Sequence, residues 1–173
     1  MSIFLIDLGK PVMFVHVPKT GGTSIRRGRQ LEGPEMFKPK KEWTIYPSFA
    51  VVRNPYDRIE SCWRDFRFQR KMTKLNFKDF ILKFRCNGGD VADPRTIEHH
   101  MAPMSHPVHG LAYATDIGRF ETLQEDFDAF CLKYGLSHFI LAHERSSSGT
   151  PRCVWNSEVQ ILIDKFYRKD FTL

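Results

Sequence analysis

The chain has 173 residues, 42% hydrophobic and 27% charged, with a net charge of +6 and an isoelectric point near 9.2. This is the composition of one soluble globular domain, 1–173, long enough for a real core, and its positive excess favours an anionic partner: nucleic acid, an acidic glycan, a membrane surface or a polyanionic nucleotide. Cys62, Cys86, Cys131 and Cys153 show no CxxC spacing, and the apolar opening MSIFLIDLGKPVMFVHV is too short to span a bilayer and has no basic leader, so a disulfide framework and a membrane span are excluded and reduced thiols are expected.

In chain order, Ile3–Asp7 and Val12–Val17 read as buried strands joined by a turn at Gly9–Pro11. A loop over Pro18–Gly22 leads into a helix from about Thr23 to Leu31, ended by Gly33 and Pro34, and residues 35–47 read as loop. Ser48–Arg53 is an apolar strand. Asn54 then caps a helix with Pro55 at its first position, and Ile59, Cys62, Trp63 and Phe66 recur at helical spacing. The basic residues Arg64, Arg67, Arg70 and Lys71 read as a solvated helix face. A helix from Asn76 carries Phe77, Phe80, Ile81 and Phe84 on one side, and Asp93–Pro94 opens a short helix through His99. Ala114–Arg119 reads as a short strand. Thr122 and Glu125 read as a capping box for a helix ending at Gly135, and His138–Ala142 as another strand. A polar loop, Arg145–Arg152, precedes a last helix with Val159, Leu162, Ile163 and Phe166 on one face. Strands alternating with helices predict an α/β fold with a mostly parallel central sheet flanked by helices.

Two islands carry the chemistry. In HVPKTGGTSI (His16–Ile25) two glycines let the backbone turn tightly and approach an anion, and N–H groups at the start of the next helix face it. Thr20, Thr23 and Ser24 add hydroxyl donors and Lys19 adds a positive charge. The order is not that of a Walker A loop, in which lysine follows the glycines. In VVRNPYDRIES (Val51–Ser61), Arg53 stands at the C-terminal end of a strand, the edge at which open α/β sheets bind ligands. Its guanidinium can fork onto a phosphate, and Ser61 offers a hydroxyl two turns into the helix. Arg58 is either a second phosphate contact or a salt-bridge partner of Asp57 or Glu60. The islands describe a pocket for a nucleotide with phosphate groups at both ends.

Together the islands resemble the sulfotransferases, above all their carbohydrate-type, membrane-associated branch. HVPKTGGTSI is similar to the 5′-phosphosulfate loop of that branch and RNPYDRIES to its 3′-phosphate motif. HHMAPM (His99–Met104), IGRFETLQEDF (Ile117–Phe127) and IDKFYRKDF (Ile163–Phe171) are similar to later segments in the same order. The resemblance implies a P-loop-like sulfotransferase fold. It implies transfer of a sulfuryl group from 3′-phosphoadenosine 5′-phosphosulfate (PAPS) to a hydroxyl, less readily an amine, of a carbohydrate acceptor, leaving PAP and requiring no metal. By the same resemblance Lys19 meets the bridging oxygen and the transferring group. Thr20, Gly21, Gly22, Thr23 and Ser24 bind the 5′-phosphate, Arg53 and Ser61 hold the 3′-phosphate, and Gly149 and Arg152 belong to a late loop that closes over the nucleotide.

Relatives place a catalytic Glu or His after the first island. Glu35 is the first choice for this general base, with Glu42, His99 and His100 as alternatives. His99, His100, His106 and His109 lack compact zinc-ligand spacing, so no metal site is expected. No nucleic-acid motif is present, and with no anchor in the sequence a cytoplasmic enzyme is expected. Two competing readings are a P-loop kinase or nucleotide hydrolase, which needs a Walker A lysine and magnesium ligands, and a sulfotransferase-like nucleotide binder without transfer activity, suggested by the short segment after Leu31.

Overall fold

The computed structural model describes residues 2–27, 41–85, 91–142 and 149–173. Among these lie four strands, β1 (Ser2–Asp7), β2 (Pro11–His16), β3 (Ser48–Val52) and β4 (Asp116–Arg119). The α-helices are α1 (Gly22–Arg27), α2 (Pro55–Arg64), α3 (Phe77–Phe84), α4 (Ile97–Met101), α5 (Leu123–Tyr134) and α6 (Ser157–Phe166). The chain divides into two compact units, Met1–Arg53 with His109–Arg145 and Asn54–Val108 with Ser146–Leu173.

The first unit is built on a sheet in the order β1-β2-β3-β4. β1 and β2 pair antiparallel, whereas β2–β3 and β3–β4 pair parallel, so the sheet is mostly parallel, as expected. Side chains alternate along each strand and so divide between two faces. Phe4, Ile6, Val12, Phe14, Phe49 and Val51 share one face with Ile25 of α1 and Phe127, Phe130 and Cys131 of α5. Met13, Val15 and Ala50 share the other with Tyr46, Leu111 and Ala114. Each of the buried phenylalanines contributes about 1.5–3 kcal/mol by leaving water. Lys41–Ile45, expected as loop, forms a 3-10 turn.

Two local expectations in this unit are corrected. Thr122 occupies the N-cap of α5, but no capping box with Glu125 forms. Its hydroxyl donates instead to Asp126 Oδ2 at 2.8 Å, and that oxygen also accepts the Arg119 N–H at 2.7 Å. One carboxylate at the helix start thus serves both donors, with charge-assisted bonds. The helix ends as expected at Gly135 (φ 60°), where the Leu136 N–H reaches the Cys131 carbonyl at 2.8 Å. His138–Ala142 is not a strand. Phe139 and Leu141 pack on the core, but the backbone bonds to a side chain: Gln124 accepts from the Leu141 N–H at 2.8 Å and donates to the Phe139 carbonyl at 3.1 Å.

In the second unit, Asn54 Oδ1 accepts the Tyr56 N–H at 3.0 Å and Pro55 takes the first helical position of α2. Ile59, Cys62 and Trp63, with Phe66 on the π turn Asp65–Gln69, pack with Phe77, Phe80 and Ile81 of α3, Ile97 and Met101 of α4, and Val159 and Ile163 of α6. α4 starts at Ile97 rather than at Asp93–Pro94. Thr96 caps it by accepting the His99 N–H at 3.1 Å, while Asp93 is bonded to Arg95.

Of Arg64, Arg67, Arg70 and Lys71, the last two are exposed, as a solvated face requires, and the first two are not. Arg64 is buried, Arg67 donates to the carbonyls of Lys74 and Leu75, and Arg70 pairs with Asp65 at 3.0 Å. Arg58 is fully buried, and its Nη2 donates to the His100 and Ala102 carbonyls, both at 2.9 Å. It thereby caps the C-terminal end of α4, where a helix runs out of intrahelical donors for its carbonyls. Cys62, Cys131 and Cys153 are free thiols; Cys86 lies outside the described residues. No described helix is long and apolar enough to cross a membrane.

Candidate functional site

The first island folds as a tight loop between β2 and α1. Lys19 and Gly21 have positive φ, 68° and 85°, whereas Thr20 and Gly22 do not. This alternation in handedness is the backbone pattern in which successive N–H groups converge on a concavity that suits an anion. Lysine in the left-handed region is uncommon and strained by about 1 kcal/mol or more, so the loop holds Lys19 against its own preference.

Packing explains both glycines. A Cβ at Gly21 would stand 2.9 Å from atoms of Phe120 and Leu123, and one at Gly22 would stand 2.2 Å from the His16 ring. Two hydroxyl-bearing residues prove to be partly committed inside the loop. Thr20 is fully buried and its Oγ1 donates to the Val17 carbonyl at 2.9 Å, so it can offer a ligand only its N–H. Ser24 uses its N–H on the Gly21 carbonyl at 2.9 Å, which leaves its hydroxyl. Lys19 and Thr23 are half-buried at the rim.

Arg53 joins this loop from the end of β3. Its Nη1 donates to the Lys19 carbonyl at 3.2 Å, and its guanidinium carbon lies 4.0 Å from the centre of the Phe120 ring. Phe120, directly after β4, is a residue that the sequence reading did not assign to the site. Its signal was positional, since like Arg53 it follows the C-terminal end of a sheet strand. The first unit therefore gathers Lys19, Thr20, Gly21, Gly22, Thr23, Ser24 and Arg53 around one loop.

The other candidates lie elsewhere. Ser61 is half-buried in the second turn of α2, in the second unit. Gly149 and Arg152 are exposed in that unit, and a Cβ at Gly149 would meet nothing within 4 Å, so packing does not demand glycine there. Glu35 lies outside the described residues. Glu42 is exposed on the 3-10 turn. His99 and His100 are buried in the second unit, with Nδ1 bonded to the Val91 carbonyl at 2.7 Å and the Thr96 carbonyl at 2.9 Å. Burial holds the His99 imidazole below its ordinary pKa. His106 accepts the Val108 N–H at Nδ1. Among the described residues no three His, Cys, Asp or Glu side chains gather to hold a metal.

A sequence model of the sulfotransferase family matches residues 30–173. The matched span contains Arg53 and Ser61 and begins after the Lys19–Ser24 loop. No curated protein and no solved structure matches the chain. The family match covers most of the chain and agrees with the mostly parallel sheet: the chain belongs to the sulfotransferase family.

Proposed function

We propose that this sulfotransferase takes PAPS as its donor, transfers the sulfuryl group to a hydroxyl of a carbohydrate acceptor, and does so as one catalytic domain over 1–173. The observation that carries the donor reading is the Lys19–Ser24 loop: alternating φ, an ammonium at its rim, and an arginine tied to its carbonyl. That donor set of ammonium, hydroxyls and converging N–H groups fits a phosphosulfate.

When bound, the donor supplies an activated sulfuryl group whose departure leaves negative charge on the 5′-phosphate oxygen. The protein's part is positioning and electrostatic stabilisation. Lys19 and the N–H groups of the loop stabilise the growing charge. Ser24 and Thr23 contribute hydroxyls, and Thr20 contributes through its backbone, because its own hydroxyl is bonded to Val17. Arg53 and Ser61 are assigned to the 3′-phosphate by their places in the second island. Glu35 is assigned the acceptor's proton from its place after the first. A cytoplasmic location is part of the same proposal.

Labelled PAPS with a panel of sugar acceptors tests this reading. Wild-type protein transfers label, and Lys19→Ala reduces transfer by about a hundredfold or more, as removal of a preorganised stabilising group does. Equal transfer by Lys19→Ala would remove Lys19 from the reaction.

A further inference from the structure

Two charged side chains one turn apart on α2 point inward: Glu60 is 4% exposed and Arg64 is 7% exposed. Both reach the same short stretch of chain. Arg64 donates from Nε to Thr150 Oγ1 at 2.9 Å and from Nη2 to the Thr150 carbonyl at 2.6 Å. Glu60 Oε1 accepts the Cys153 N–H at 3.2 Å. Burial, with the Glu60 charge beside it, pushes the Cys153 thiol up to about 12, so the thiol stays protonated and can donate to the same carboxylate. Buried charges cost stability unless they are well bonded. Here their bonds bracket two residues, Pro151 and Arg152. The clamp grips the chain on either side and leaves the Arg152 side chain exposed. Ser61 lies between Glu60 and Arg64 in sequence, on the same helix.

We propose that Glu60 and Arg64 are positioning residues, which fix Thr150–Cys153 to α2 so that Ser61 and Arg152 are presented to the 3′-phosphate of the donor by one rigid frame. This rests on the PAPS reading above. A helix is a stiff element, and two bonds to arginine plus one to glutamate hold the bracketed segment far better than an exposed loop holds itself.

The test is calorimetric titration with PAP and with AMP, which differ only in the 3′-phosphate. Arg64→Lys and Thr150→Val should bind PAP about tenfold more weakly while AMP affinity is unchanged, and Thr150→Ser should stay within about twofold of wild type for both. Arg152→Ala should lose a similar factor, and the Arg64→Lys, Arg152→Ala double variant no more than Arg152→Ala alone, because the two act as a unit. PAP affinity within about twofold of wild type in both Arg64→Lys and Thr150→Val would overturn the inference. So would a parallel loss for PAP and AMP, which general loosening of the fold produces. If wild-type protein fails to bind PAP at all, the donor reading falls and takes this inference with it. If wild type binds and the variants match it, only this inference falls.

Discussion

Arg53 donates to the Lys19 carbonyl at 3.2 Å while its guanidinium stacks 4.0 Å over Phe120. One side chain at the end of β3 thereby holds the loop after β2 against the residue after β4. Lysine at this position keeps the charge but cannot both stack and bond. Arg53→Lys should cost about 1–2 kcal/mol in urea unfolding. A double-mutant cycle with Phe120→Ala should give a coupling of about 0.5 kcal/mol or more, and strictly additive effects would show that the stack contributes nothing.

Lys19 is held at φ 68°, a conformation that glycine adopts freely and lysine does not. Lys19→Gly should therefore leave the free energy of urea unfolding unchanged or raise it by up to about 1 kcal/mol, while it abolishes sulfuryl transfer. A clear loss of stability in that variant would mean that the backbone there is not strained.

Gly22 has no room for a side chain because the His16 ring fills the space, 2.2 Å from a would-be Cβ. Gly22→Ala should destabilise the protein by about 1–3 kcal/mol, and adding His16→Ala should recover part of that loss. Thermal unfolding of the single and double variants decides it. No recovery would place the clash elsewhere.

His99 is buried and bonded through Nδ1 to the Val91 carbonyl, and burial, the larger influence, holds its pKa below the ordinary imidazole value. Below about pH 6.5 the unfolded chain binds the proton more readily than the folded one. The stability from a neutral His99 is therefore complete above that value and is lost as pH falls toward the folded pKa. His99→Asn, which can keep a donor to Val91, should lose less stability than wild type between about pH 7.5 and about pH 5.5. Equal losses in the two proteins would show that another group governs the acid limb.

The sheet, the first loop and the Asn54–Pro55 helix start were legible because each is written in neighbouring residues: apolar runs, a glycine pair, a cap followed by proline. What escaped was decided by partners distant in sequence. Thr122 fits a box with Glu125 on paper, yet Asp126 sits where it can take both the Thr122 hydroxyl and the Arg119 N–H. The apolar run in His138–Ala142 suits a strand equally well as a segment held by Gln124. By spacing alone Arg58 reads as a phosphate contact or a salt-bridge partner, and Arg64 as part of a solvated face. Both are buried, and their guanidiniums donate to carbonyls distant in sequence, those of His100 and Ala102 for Arg58 and that of Thr150 for Arg64. At the site, the loop and Arg53 were readable, but Phe120 beneath the guanidinium was not, since nothing in its local sequence announces a stacking partner.

The central claim is that the Lys19–Ser24 loop and Arg53 form a site for a phosphosulfate nucleotide that needs no magnesium. Isothermal titration with PAP in excess chelator addresses it directly. The account predicts binding that magnesium does not strengthen and that Arg53→Ala weakens by about a hundredfold, the loss of a charge-assisted phosphate contact. Tight binding of magnesium–ATP with no binding of PAP would contradict it.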